Sequence, residues 1–365
     1  MSGAYHDQPD LIGAAGFIFQ GSVRAKRSKA GKAPQGPVDA AKKVRRAKAL
    51  RRLIAASVAG VVRKQPEVMV KVSGAAKGAK HLREHLAYIT RNGNLTAEVS
   101  DASNDGDATL LAGAEDVREL AKEWYARGGS GRRSNSRETV NMVLSMPAGT
   151  DRRALAIAAA AFAKSEFGGK FDYILVHHDD TDHPHAHLTV RARNDRGQRL
   201  DPRKEDLQRW REKFAAQLRQ AGIQAAATPR RSRGVVQKAT RQAVRHMDQR
   251  RASNTSRWRI QQAVRTLHAQ RAGKAPDEPW RKAIADRQRK IRSAWSTVAV
   301  ALERQGDVGL AIQVRSFIAA MPAIATQQDQ MIDRIKSNPQ LLAKTERALQ
   351  VEQAKQEQER GPRRK

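Results

Sequence analysis

YILVHHDDTDHPHAHLTV, residues 173–190, reads as a strand, a tight turn and a second strand. The run before His178 is β-branched and aromatic, as a buried strand requires. Asp-Thr-Asp-His-Pro is turn chemistry, and the chain after it resumes as HAHLTVRARND. His185 and His187 stand two apart on that second strand, so both side chains leave one face. His178 ends the first strand, and a tight hairpin brings it beside the pair. Three imidazoles converging from adjacent strands make a metal site with positions left open for water or substrate. Asp179, Asp180 and Asp182 lie close enough in sequence to orient the ring N–H groups. His177 and His183 have no place in the triad and read as strand-end and turn residues.

Outward from the hairpin, the pattern is mixed α and β. PEVMVKVSG (66–74) sets Val68, Val70 and Val72 at alternate positions, a strand. GAAKGAKHLREHLAYITRNG (74–93) is a short helix closed by Gly93. ETVNMVLSMP (138–147) is another strand, and DRRALAIAAAAFAKSEFGG (151–169) an Ala-rich helix ended by glycines. PRKEDLQRWREKFAAQLRQAG (202–222) is an amphipathic helix with Leu207, Trp210, Phe214 and Leu218 on one face. The expected fold is α+β: an antiparallel sheet with helices over residues 67–225, followed by an all-α basic C-terminal region over 226–365. Residues 229–233 (PRRSR) read as a linker, the segments 237–251 and 281–295 as basic helices, and the tail EQERGPRRK as frayed. Residues 1–66 read as a basic and largely disordered extension. GSVRAKRSKAGKAPQGP has little to bury, whereas residues 38–62 form a basic helix.

Charge points to the partner. Lys and Arg number 69 against 37 acids, a formal net charge of +32, with a pI of about 11.2. Such a surplus selects a polyanion, nucleic acid first. Aromatics make up only 4% of the chain, so phosphate contacts from Arg and Lys dominate over stacking. No apolar run approaches the ~20 residues of a membrane span, so membrane insertion is not expected. Cysteine is absent, which excludes disulfides and thiolate metal ligands.

HHDDTDHPHAHLTV resembles motif III of the conjugative relaxases, which are HUH endonucleases. The His-hydrophobic-His pair is His185-Ala186-His187. VMVKVSGAAKGAKHLREHLAYITRNGNL is similar to their motif I, ETVNMVLSMPAGTD to their motif II, and RLDPRKEDLQRWREKFAAQL to the helix after motif III. The subgroup resembled is that of the T-DNA border endonucleases. The resemblance implies a HUH-like fold and a site- and strand-specific nick at an origin of transfer. The nucleophile in that chemistry is a tyrosine, here Tyr88, which becomes linked to the 5′ end of the DNA.

The residues give Tyr88 some independent support. Of the four tyrosines, Tyr5 lies in the arm, Tyr173 in a strand and Tyr125 at a helix end. Tyr88 ends a helix before a glycine turn. A phenol with an ordinary pKa of about 10 needs a base or a nearby cation. Asp180 and Asp182 are the candidate bases, with His85 an alternative one helical turn before the tyrosine. Ser145 matches the motif II serine, and Arg91 and Lys204 complete the DNA-binding candidates. The resemblance also implies a divalent cofactor, Mg²⁺ or Mn²⁺ by substrate chemistry and Zn²⁺ by affinity for imidazole. It implies single-stranded DNA as substrate, with accessory mobilisation proteins and a type IV coupling protein as partners. A bacterial cytoplasm, with passage into a recipient cell alongside the DNA, completes that expectation. In many relaxases motif I lies near residue 1, so the arm before residue 67 reads as an accessory segment or a start-site artefact. The rivals are a metal-dependent hydrolytic nuclease, a HUH replication initiator or transposase, and a non-enzymatic DNA-binding mobilisation accessory protein.

Overall fold

A computed structural model describes residues 11–20, 37–103, 107–128, 136–235, 242–250, 254–274 and 279–359. The chain divides into two compact units. Ala55–Pro229 forms one, and the described residues before and after it form the other.

The first unit is built on one sheet of six antiparallel strands, in the order β1-β4-β6-β5-β2-β3. These are β1 (Met69–Gly74), β2 (Ala97–Ser100), β3 (Ala108–Leu111), β4 (Thr139–Ser145), β5 (Tyr173–His178) and β6 (His185–Arg191). The hairpin of the opening stretch, β5–β6, lies in the interior of the sheet. Its strands pair His178 with His185, and β4 pairs Ser145 with the same His185.

Alternation along the strands sends side chains to two different layers. On one face Val70, Met142, Leu144, Leu175, Leu188 and Val190 pack under α5 (Arg152–Phe167) and α6 (Lys204–Gln220). Trp210, Phe214 and Leu218 are buried there, on the face of α6 that its 3.6-residue period predicts. Asp151 caps α5 by accepting from the Ala154 N–H at 2.9 Å. On the other face Ile174 and Val176 pack under α3 (Gly78–Ile89) and α4 (Ala114–Ala126), against Leu82, Leu86, Val117 and Trp124. His178, His185 and His187 stand on this second face, at the end of the strands that α3 reaches. His177 points to the opposite face, with its Nε2 3.6 Å from Glu98.

Strands β2 and β3 are elements that the sequence reading lacked, and of helix α4 it had only the end, at Tyr125. The two strands are four residues each, too short to display a period. Their place is set by pairing of β2 with β5.

The turn that ends α3 depends on one glycine. Gly93 has φ +85, and a Cβ there would lie 2.3 Å from the Gly113 carbonyl carbon. Both the left-handed backbone and the close approach exclude a side chain. Gly93→Ala should cost about 2–5 kcal/mol of stability, summing backbone strain and overpacking. Denaturant unfolding measures this, and a change within error would refute the argument.

The second unit is helical, and α7 (Gln242–Gln249) takes up the described part of the basic helix expected over 237–251. Helices α8 (Asn254–Arg271), α11 (Gln327–Lys336) and α12 (Pro339–Glu359) close over Val264, Leu267, Ile332, Ile335 and Leu349. Helices α9 (Pro279–Arg304) and α10 (Val308–Ala319) gather around Trp295, whose ring lies edge-on to Phe317 at 5.1 Å and to Phe19 at 6.1 Å.

Phe19 comes from the N-terminal arm. Its described part is not a structureless extension: α1 (Leu11–Gln20) buries Leu11, Ala15 and Ile18, spaced at one helical face, in this unit. Residues 38–62 lie in helix α2 (Pro37–Val62), as their composition predicts. The segment 21–36 and the final residues 360–365 lie outside the described residues. The expected linker at 229–233 is instead a 3₁₀ turn over Arg230–Arg233. Its Ser232 is buried, donates to the Ile18 carbonyl at 2.9 Å, and offers its own carbonyl to the Trp295 indole at 2.7 Å. Two small buried contacts of that kind leave no trace in a stretch dominated by arginine.

Candidate metal centre and nucleophile

The three histidines form one cluster. Ring centroids lie 4.4 Å apart for His178–His187, 5.2 Å for His178–His185 and 5.3 Å for His185–His187. Their candidate ligand nitrogens all lie within 4.8 Å of one another. A small closure brings such a set onto one ion at bond lengths of about 2.1 Å.

Hydrogen bonds fix which nitrogens are available. The His178 Nε2–H donates to the Ile89 carbonyl at 2.6 Å, which turns the Nδ1 lone pair toward the cluster, where the Arg91 Nη2 stands 3.4 Å away. The His185 Nδ1–H donates to the His183 carbonyl at 3.0 Å, which leaves Nε2 open. Carbonyl oxygens thus orient two of the rings, a task the sequence assigned to the neighbouring aspartates. Burial, then the nearby His178 and His185, push His187 down to about 3. His178 is lowered too, first by burial. Neutral imidazoles are the form that binds a cation. The donor set therefore fits a divalent ion.

Asp179 instead pairs with Arg152 at 3.2 Å, and Arg152 also donates to the Thr181 carbonyl at 2.6 Å, bracing the turn. Asp180 is engaged by Arg91 in an ion pair, which holds its carboxyl below the usual range. Asp182 is exposed in the turn.

Tyr88 lies beside the cluster. It is 60% exposed, at the end of α3. Its ring meets His187 edge-on, with 6.2 Å between centroids. The Arg91 guanidinium carbon stands 5.3 Å from the centre of the same ring. Tyr173 is buried in the core, Tyr125 packs against the α3–α4 layer, and Tyr5 lies outside the described residues. Among the described tyrosines, Tyr88 alone combines exposure with the triad. Helix α3 is tied to β6 beneath it by His85, whose Nε2 lies 2.8 Å from the Thr189 hydroxyl. Burial, then His81, lower His85 to about 4.

The DNA-binding candidates separate. Ser145 shares the triad face through its register with His185. Lys204 opens α6, on the other face of the sheet. Two residues not foreseen, Met69 and Lys71, are exposed on edge strand β1. They share the triad face, because Met69 pairs with Ser145, and Lys71 with Val143 opposite His187. The alternation of PEVMVKVSG carries that signal, since Val68, Val70 and Val72 take the inward positions.

An exposed phenol thus lies beside three converging imidazoles that could hold a metal ion, on an antiparallel sheet. Residues 88–223 match the family model "Relaxase: MobA/VirD2-like, nuclease domain". Over this span the chain resembles relaxases of the VirD2-like group. It is 29% identical over 192 residues to a T-DNA border endonuclease VirD2 of Rhizobium radiobacter, covering 48% of this chain and 44% of that one. The VirD2 of Agrobacterium fabrum is 29% identical over 142 residues, covering 36% and 31%. The chain thus spans less than half the length of these relatives. A solved structure titled "Molecular Basis of Vancomycin Resistance Transfer in Staphylococcus aureus" is 14% identical, covers 45% of this chain and 99% of that one, and superposes with a TM-score of 0.32. At that score the likeness carries no argument. Among the described residues no helix is long and apolar enough to cross a membrane.

Proposed function

We propose that this protein is a DNA relaxase that nicks one strand at an origin of transfer through Tyr88 and holds the DNA as a 5′-phosphotyrosyl ester. The observation that carries the reading is the exposed Tyr88 ring set edge-on against His187 of the three-histidine cluster. The Tyr88 oxygen attacks phosphorus, and the bond from phosphorus to the 3′ oxygen breaks. The phenol loses its proton and the departing oxygen gains one, leaving a free 3′-hydroxyl. One phosphodiester replaces another, so the strand can be rejoined by reversal without ATP.

His178, His185 and His187 are the residues that would hold a divalent ion, Mg²⁺ or Mn²⁺ by preference and Zn²⁺ as an alternative. When bound, such an ion polarises the scissile phosphate and offsets charge in the transition state. The protein's own groups do the rest. Carbonyls of Ile89 and His183 keep the ring nitrogens turned inward. His85 and Thr189 pin the helix that carries the nucleophile. Ser145 and Lys71 lie on the triad face for contact with the strand.

Single-stranded DNA is the proposed substrate, with accessory mobilisation proteins and a type IV coupling protein as partners. The proposed setting is the bacterial cytoplasm of a plasmid-bearing cell, with export alongside the DNA. The test is incubation of the full chain and Mn²⁺ with single strands tiling the replicon that encodes it, followed by denaturing electrophoresis. A protein–DNA species that survives denaturation supports the reading. Cut strands with no such species indicate hydrolysis by water.

The basic helices of the second unit are proposed to add contacts to the phosphate backbone. If six phosphates are neutralised, the logarithm of the binding constant should fall with that of salt at a slope of about −4, since each contributes about −0.7 on single strands. Residues 55–229 alone should show a flatter slope and still nick. A folded fragment that cannot nick would place catalytic groups in the helical unit.

A further inference from the structure

We infer that Arg91 seats the phosphate that is cut, and that Asp180 serves the reaction by holding Arg91 rather than by taking a proton. The inference rests on the reading of Tyr88 above for where that phosphate lies.

Arg91 follows α3 by two residues and leaves the helix abruptly. Its φ is 52° and that of Asn92 is 58°. Left-handed backbone at a bulky side chain is strained and persists only where the surroundings hold it. Backbone hydrogen bonds hold it here, from the Arg91 N–H to the Tyr88 carbonyl at 3.3 Å and from the Asn92 N–H to the Ala87 carbonyl at 2.7 Å, and the turn delivers the side chain among functional groups. The guanidinium is ion-paired to Asp180 in the hairpin turn. Its Nη2 stands 3.4 Å from Nδ1 of His178, the ring nitrogen that does not bond to Ile89. Its Cζ lies 5.3 Å from the centre of the Tyr88 ring, and Nη1 donates to the Tyr88 carbonyl at 3.4 Å. One cation therefore touches the nucleophile's residue, a ring of the triad and the turn between the strands.

A guanidinium carries five N–H donors in a planar fork that matches the oxygens of a phosphate. The partners named here leave part of that fork over. A phosphodiester placed for attack by Tyr88 meets the free donors, while Asp180 fixes the orientation. An ordinary exposed ion pair contributes little. This one differs because it borders the nucleophile and a ring of the triad. Asp180 is already committed to Arg91, which makes it a positioning residue.

The test uses the full chain labelled with 3-fluorotyrosine. It has four tyrosines, and the Tyr88 signal is assigned by its loss in Tyr88→Phe. Titration with the dinucleotide TpT should shift that signal. The neutral methylphosphonate analogue should bind about tenfold more weakly, as loss of a charged hydrogen bond requires. Arg91→Gln should bind both compounds within about twofold of each other. Asp180→Asn should fall between, and the double variant should match Arg91→Gln. If Arg91→Gln keeps the preference for TpT, or if TpT leaves the Tyr88 signal unmoved, the seat is refuted.

Two further readouts separate the alternatives. Adding Asp180→Asn to Arg91→Gln should change the rate of adduct formation by less than about twofold, as for two groups acting as one unit. A further tenfold loss would make Asp180 a proton acceptor and overturn its assignment. Mn²⁺ affinity should not weaken in either single variant; if it does, the pair supports the histidine cluster and the phosphate seat is wrong. Dinucleotide binding makes no bond, so it holds or fails apart from the tyrosine chemistry, which adduct formation judges.

Discussion

Tyr88→Phe is expected to bind the nicked oligonucleotide as the parent does and to form no covalent adduct. The change removes one oxygen from a side chain that is 60% exposed, so nothing packed around it collapses. The ring contacts to His187 and Arg91 need only the aromatic face and edge, and both survive in phenylalanine. The reaction loses its nucleophile, and removal of a nucleophile in a covalent mechanism lowers the rate by ~10³-fold or more. Binding and adduct yield measured on the same preparation separate the two effects. An adduct at the parental level would pass the role to another tyrosine, Tyr125 first. Unchanged cutting without an adduct would favour a hydrolytic nuclease.

The second large effect concerns the histidine cluster. EDTA should abolish nicking, and Mn²⁺ or Mg²⁺ should restore it. His187→Ala should lower the nicking rate by more than about 100-fold, beyond what loss of an outer partner of a ligand costs. Its centrality is geometric, because its ring is nearest to His178 and also meets Tyr88. Calorimetry with Mn²⁺ gives a readout free of activity: the parent should bind one ion, and His187→Ala should bind it at least tenfold more weakly. Full nicking in EDTA would remove the ion from the account. Retained activity with lost Mn²⁺ binding would do the same.

The hairpin carried most of what the sequence revealed. Strand period and turn chemistry placed His178, His185 and His187 on one face, because side-chain direction in a strand depends on position alone. The register of β4 against β6 then put Ser145 beside them. The sheet's other edge was less legible. Strand β2 is held by pairing with β5 across more than 70 residues of chain, and β3 by pairing with β2, and no local pattern encodes the distant partner.

The second-layer contacts were hidden for a related reason. Aspartates next to histidines in sequence suggested carboxylate partners, yet the carbonyls of Ile89 and His183 take those hydrogen bonds. Every residue has a carbonyl, so composition cannot mark the ones that matter. Lys204 and Arg91 show the same divide. Both are cations beside a motif, and only the fold separates them: α6 lies on the far face, whereas the left-handed turn after α3 carries Arg91 into the centre.

The most direct measurement of the central claim is to digest the denatured adduct with trypsin and nuclease and find the peptide that carries nucleotide. Cleavage after Arg and Lys isolates Tyr88 in Glu84–Arg91, Tyr125 in Glu123–Arg127 and Tyr173 in Phe171–Arg191. The account predicts a phosphonucleotide on the tyrosine of Glu84–Arg91 and on no other peptide. Nucleotide on either of the other two or on Met1–Arg24, which carries Tyr5, or strands cut with no modified peptide at all, would contradict it.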